Sequence, residues 1–241
     1  MIHVEQQPEP RPPDFDFDGD VRQPGLSALA ELTGQAPTIR RSGPRIQQQA
    51  ARPEDLGSKV LRKYDYWTRA LGALHKAYRG ICAYSCFYIE PITGPTVDHF
   101  VAITRAAPQE AYEWNNYRLA CSLMNASKNA FPDVLDPFEV QDGWFELNLD
   151  TFEVGPAKNL DAELKQRVEH TCNRLKLNST ECKNMRRRWF NMYWAPRVPS
   201  QPVPLWFFEE NAPFLAREMR RQGRIRPEDQ GAGPAPRADD A

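Results

Sequence analysis

Apolar residues recur at helical spacing in some stretches of this chain and alternate in others, and together they outline a mixed architecture. After Pro53-Glu54-Asp55, a favourable helix start, Val60, Tyr64, Trp67, Leu71, Leu74 and Tyr78 return every three or four residues until Gly80. That spacing predicts one continuous helix. Thr96-Val97-Asp98-His99-Phe100 is rich in β-branched and aromatic residues and follows Gly94-Pro95, so it reads as a short strand. Tyr117 to Cys121 reads as a returning strand. Ala126 to Ala130 then begins a short helix that Phe131-Pro132 ends, with Asn125 at its start, where an amide side chain can cap the first exposed N–H groups. Residues 144–154 alternate in part and predict a hairpin. Leu164, Val168, Cys172 and Leu175 mark a second helix, and Met185, Trp189 and Met192 a third after the turn at Asn178-Ser179. These stripes read as core. The expected fold class is α+β, a strand, strand and helix embedded in further helices.

Proline usage separates the ends from the middle. Of 22 prolines, eight lie in residues 1–54 and eight in 196–241. Gln47-Gln48-Gln49-Ala50-Ala51 and the stretch from Gly231 to Pro236 are of low complexity. Residues 1–52 are therefore expected to be extended or disordered, 53–222 to form one domain with its helical part at 160–222, and 223–241 to be a disordered tail. No apolar run is long enough to cross a bilayer, and Met1 to Pro13 is too polar for a secretory signal. Five cysteines without a disulfide framework fit a reducing compartment, so a cytoplasmic location is expected and no membrane partner. A net charge of −1 gives no global positive field. Local basic clusters stand at Arg40, Arg41 and Arg45, at Lys59, Arg62 and Lys63, and at Arg186-Arg187-Arg188, and each reads first as a solvated face. The aromatic run Leu205-Trp206-Phe207-Phe208 either covers the core or docks on a partner.

The chemistry concentrates between residues 98 and 128. Asp98-His99 puts a carboxylate and an imidazole on one short segment, and Asn116, Asn125 and Lys128 follow at intervals that a strand, loop, strand and helix can bring to one edge. Such a set can hold one divalent metal and one attacking water, the requirements for cutting a phosphodiester. An isolated Asp-His pair is more often structural, its imidazole simply donating to a neighbouring carboxylate. Four positions in register weigh against that reading.

The pattern Asp98-His99, Asn116-Tyr117-Arg118-Leu119 and Asn125-Ala126-Ser127-Lys128 resembles the HNH, or ββα-metal, nucleases over roughly residues 80–132. Beyond it, Tyr112-Glu113-Trp114-Asn115-Asn116, Leu175-Lys176-Leu177-Asn178 before an Arg-rich helix, and the opening Met1-Ile2-His3-Val4 are similar to the HNH components of Septu-type and retron-linked antiphage systems. The resemblance implies that His99 is the general base, that Asp98 and Asn125 hold a Mg2+ or Mn2+ ion, and that Asn116, in preference to the adjacent Asn115, braces the loop. It also implies a phosphate contact for Lys128, and Arg105 offers another. Many HNH domains carry two Cys-x-x-Cys pairs around a structural Zn2+. Here Cys82 and Cys86 are spaced one residue too far apart, and Cys121 is followed by Met124 where the fourth thiolate would stand. A thioether is a poor zinc ligand, so Zn2+ is not expected and a degenerate, apolar knuckle using Met124, Phe87 and Tyr88 is. DNA is the expected substrate and an ATPase the expected protein partner, since a weakly charged nuclease needs phosphate contacts from elsewhere. An RNA-cutting toxin and an inactive HNH-like subunit that binds nucleic acid or an ATPase are the alternatives.

Overall fold

A computed structural model of the chain describes residues 1–40, 43–194 and 201–230. They fall into two compact units. The first comprises residues 5–80 and 89–132, and the second residues 1–4, 81–88 and those from 133 onward. The expected single domain at 53–222 is therefore divided, and so is the stretch 80–132 that carries the family resemblance. Each unit is a mixture of helices and short strands, which agrees with the α+β expectation.

In the first unit, helix α1 (Gln23–Leu32) continues directly from a π-helical turn at Asp18–Arg22. Phe17, Val21, Ala28, Leu29 and Leu32 are buried along it. This corrects the expectation that residues 1–52 are extended or disordered. Apart from Pro24 in the first turn of α1, the prolines of that segment flank an amphipathic stretch that the density of prolines had masked. Gly25 explains the closeness of the packing: a β-carbon there would lie 2.3 Å from the ring of Tyr112, so only glycine fits. The helix expected over 53–80 is broken into a turn of 3-10 helix at Pro53–Asp55, the short α2 (Ser58–Leu61), a second 3-10 segment at Tyr66–Ala70, and α3 (Leu71–Ala77). Apolar spacing survives those breaks because each piece still buries one face, including Leu61, Trp67, Ala70 and Leu74.

Strands β1 (Pro95–His99) and β2 (Tyr117–Cys121) form an antiparallel pair, with Thr96 opposite Ala120, Asp98 opposite Arg118 and His99 opposite Tyr117. Pro95 sits at the first strand position, where its missing N–H costs little, and Gly94 at φ +103° makes the preceding turn. Helix α4 (Ser122–Lys128) follows β2 without a loop. Both α3 and α4 pack against both strands. That double cover explains why Tyr117, Arg118, Leu119 and Ala120 are all buried although they alternate in direction.

The second unit holds the expected hairpin, β3 (Phe145–Leu147) paired with β4 (Val154–Pro156), and the helices α5 (Ala162–Arg174), α6 (Thr180–Trp194), α7 (Leu205–Asn211) and α8 (Pro213–Arg221). Asp161 caps α5 through its side chain, accepting from the Leu164 amide. Cys172 and Cys182 lie buried in α5 and α6, as their apolar neighbours suggested. Phe208 is also fully buried and stacks on Tyr193 at 5.0 Å, which leaves Trp206 as the exposed ring of its cluster. Arg186 is buried as well, its guanidinium donating to the Phe152 carbonyl. It therefore does not belong to a solvated basic face. Among the described residues no helix is long and apolar enough to cross a membrane. Arg41 and the tail from Gly231 lie outside the described residues.

Candidate active site

A cavity of about 600 Å3 opens beside β1 and α4 in the first unit. Asp98, His99 and Asn125 line it, joined by Thr96, Trp67 and Arg62. Three of the expected site residues thus meet at one place, brought there by a strand and the helix that packs on it.

His99 is held from three sides. The edge-on rings of Trp67 and Tyr117 stand 4.9 Å and 5.2 Å from the imidazole, centroid to centroid. Nε2 lies 3.0 Å from the carbonyl oxygen of Ala111, in the 3-10 segment Pro108–Tyr112. A carbonyl only accepts, so Nε2 carries the hydrogen and Nδ1 is left with its lone pair. Burial pushes the pKa of His99 down to about 4; the Ala111 carbonyl opposes that shift and the Lys128 ammonium adds to it. The imidazole is therefore neutral at physiological pH, and its ring orientation and tautomer are both fixed.

Asn116 secures the loop between the two strands. Its Oδ1 accepts from the Val101 amide at 2.7 Å, and its Nδ2 donates to the carbonyls of Val101 and Glu110 at 3.0 and 3.2 Å. Through that loop it positions the segment bearing Ala111, and hence His99. Asn115, by contrast, is exposed and accepts from Gln6.

Lys128 plays a different part from the one expected. Its side chain is 1% exposed, and its Nζ donates to Asp98 Oδ1 at 3.1 Å and to the His99 carbonyl at 2.8 Å. A cation with so little surface does not contact a phosphate arriving from solvent. It compensates the charge of Asp98 and ties α4 to the end of β1. Asn125 also differs from expectation, since α4 begins three residues earlier, at Ser122, with Cys121 as its cap position. Asn125 lies inside the helix and donates through Nδ2 to Thr96 Oγ1 at 3.0 Å, while Thr96 Oγ1 donates to the Ala120 carbonyl at 2.8 Å. With the amide nitrogen committed to β1, the carbonyl oxygen is the group Asn125 has for a cation. Arg105 is exposed and lies outside the cavity lining. Arg62 and Trp67 line it instead, and the sequence had marked them only as part of a basic cluster and an apolar stripe.

Asp98 and Asn125 both line the cavity, and a carboxylate with an amide oxygen is the donor chemistry that Mg2+ or Mn2+ takes. The Asp98 side chain is only 3% exposed and faces the Lys128 ammonium. Among the described residues no three His, Cys, Asp or Glu side chains gather to hold a metal, so the site is not a closed protein cage. The cysteines divide between the units, Cys82 and Cys86 in one and Cys121 in the other. None of the five forms a disulfide among the described residues. Cys86 adopts φ +57° and donates its amide to the Cys82 carbonyl at 2.9 Å, and burial raises its thiol pKa. Met124 is buried, while Phe87 and Tyr88, expected to pack with it, are partly exposed and belong to the other unit. No protein-family model matches the chain, and a search of curated proteins finds no match.

Proposed function

We propose that this chain is a metal-dependent phosphodiesterase of the HNH type that cuts DNA, as the nuclease component of an antiphage complex. The observation that carries the reading is the meeting of His99, Asp98 and Asn125 on one cavity, with the imidazole locked in the tautomer that a base requires. In this reading Nδ1 of His99 takes a proton from water as the water oxygen attacks phosphorus. The P–O bond to the leaving oxygen breaks, and that oxygen takes a proton from solvent. Asp98 and Asn125 would hold Mg2+ or Mn2+, which when bound would supply charge stabilisation on the phosphate. Asn116 and the Ala111 carbonyl keep the base aligned, and Lys128 holds the carboxylate in place from behind.

One observation favours a second reading, a nucleic-acid-binding subunit that does not cut: the Lys128 ammonium already neutralises Asp98, which weakens the pull on a cation. Incubating the full chain with plasmid DNA and, separately, with structured RNA, each in Mg2+ or Mn2+, decides between them. Metal-dependent nicking that His99→Ala abolishes supports the nuclease, and preference for RNA moves the substrate. Binding without cleavage in either metal supports the second reading. The near-zero net charge supports a protein partner such as an ATPase, whose addition would raise the cleavage rate.

A further inference from the structure

The turn after α2 carries four consecutive residues that divide between two cavities. Arg62 and Asp65 line the cavity of His99, whereas Lys63 and Tyr64 line a separate groove of about 490 Å3. The groove's far wall is built by residues 43–49, which contribute Arg45. The two hollows therefore each take lining residues from one four-residue turn.

Charge decides what the groove can take. Its lining includes Arg45 and Lys63 and no acidic residue. Both cations are exposed, and neither they nor Arg62 form an ion pair among the described residues. Some arginines of the chain are committed to carboxylates, as Arg22 is to Glu9, Asp18 and Glu113. Uncommitted cations in a concave site with an aromatic ring form the usual apparatus for an extended nucleic-acid strand: the charges follow the phosphates and the ring stacks a base.

We propose that Arg62, Lys63, Arg45 and Tyr64 form a subsite for the single-stranded segment flanking the phosphate at His99. Arg62 anchors a phosphate at the rim of the catalytic cavity, the strand crosses the turn, and the groove receives the next phosphates on Lys63 and Arg45. Tyr64 stacks an unpaired base. This subsite rests on the phosphodiesterase reading for its purpose, but its binding is measurable without catalysis.

The test is fluorescence anisotropy of labelled single-stranded DNA and RNA oligonucleotides, and of a DNA duplex, with the full chain in EDTA over a salt series. The double variant Arg45→Gln, Lys63→Gln should bind single strands roughly tenfold more weakly at low salt, with the slope of log K against log salt reduced by about 1.4, two phosphates at about 0.7 each. Tyr64→Leu should weaken single-strand binding about fivefold or more and leave duplex binding alone. The charge-preserving pair Arg45→Lys, Lys63→Arg should restore affinity, which separates lost charge from lost folding. Unchanged affinity and slope in the glutamine variant overturn the subsite, as does a wild-type chain that binds no oligonucleotide. Cleavage by the wild type with no effect of the glutamine variant removes the subsite alone. A variant-sensitive strand affinity with no cleavage in any metal keeps the subsite and removes the phosphodiesterase reading.

Discussion

Two histidines of the described residues stand near an aspartate in opposite ways. In the second unit His170 Nε2 lies 2.5 Å from Asp133 Oδ2, with Arg174 on the same oxygen at 3.2 Å, and the His170 side chain is 47% exposed. Burial opposes the shift there, but hydrogen bonds from His170 and Arg174 hold the Asp133 carboxyl below its ordinary range. In the first unit Asp98 and His99 are adjacent in sequence, yet the carboxylate bonds Lys128 and the imidazole bonds a backbone carbonyl. Successive strand residues alternate in direction, so neighbours in the chain do not pair with each other. The contrast is one of environment: a backbone carbonyl fixes the His99 ring beside a cavity, whereas His170 is a half-exposed partner of a carboxylate.

The sharpest way to break this comparison is to replace each histidine in turn. His99→Ala should lower metal-dependent plasmid cleavage by about 10²–10⁴-fold, the usual span for a lost general base. His170→Ala should leave the rate within about twofold, because a surface pair contributes little even to stability. Equal rates for wild type and His99→Ala would place the chemistry elsewhere.

The two aspartates can be compared through their cations. Lys128→Met removes the buried ammonium from which Asp98 accepts, and urea unfolding should show a loss of about 3–5 kcal/mol. Arg174→Met, which removes a partly exposed partner from Asp133, should cost no more than about 1 kcal/mol. Similar losses from both would mean that the Asp98 pair is as well solvated as the surface one.

Acid should separate the sites as well. The pKa of His99 lies near 4 in the folded chain against an ordinary 6.5, so between those values the unfolded chain binds the proton and the folded chain does not. Stability from this residue is complete above pH 6.5 and is lost as pH falls through about 4. At one partly exposed ring the loss amounts to roughly 2 kcal/mol, allowing for screening on the open side. Urea midpoints between pH 7 and 4.5 should fall more steeply for wild type than for His99→Gln. The acid limb of the cleavage profile should likewise centre near pH 4, and a limb near 6.5 would show that the ring is solvated when it works.

The smallest effect concerns Asn125. Because it is not a helix cap, Asn125→Ala should cost only about 1 kcal/mol, the worth of its bond to Thr96. Its Mn2+ affinity by calorimetry should nevertheless fall. A large loss of stability would restore a capping role, and unchanged affinity would remove it from the metal site.

Much of this site was legible in the sequence because its signals are local. Residue types, strand and helix periods and the Asn-x-x-Lys spacing depend on neighbours within a few positions, so Asp98, His99, Asn116 and Asn125 could be picked out as a set. The hairpin at β3–β4 and the helices α5 and α6 were legible for the same reason. The amphipathic α1 was not, since proline density outweighed a ten-residue apolar pattern, and neither was the break in the helix over 53–80, where apolar spacing continues across the turns.

By itself the sequence determined which groups could act and roughly which elements would carry them, for periodicity and residue chemistry are written along the chain. Tertiary structure alone decided what each group does. It buried the Lys128 ammonium against Asp98 and assigned the tautomer of His99 through a carbonyl twelve residues away. It also brought Arg62 and Trp67 to the cavity and left Arg105 outside it. Burial, partners and cavity walls arise from contacts between segments distant in the chain, and no local pattern encodes them.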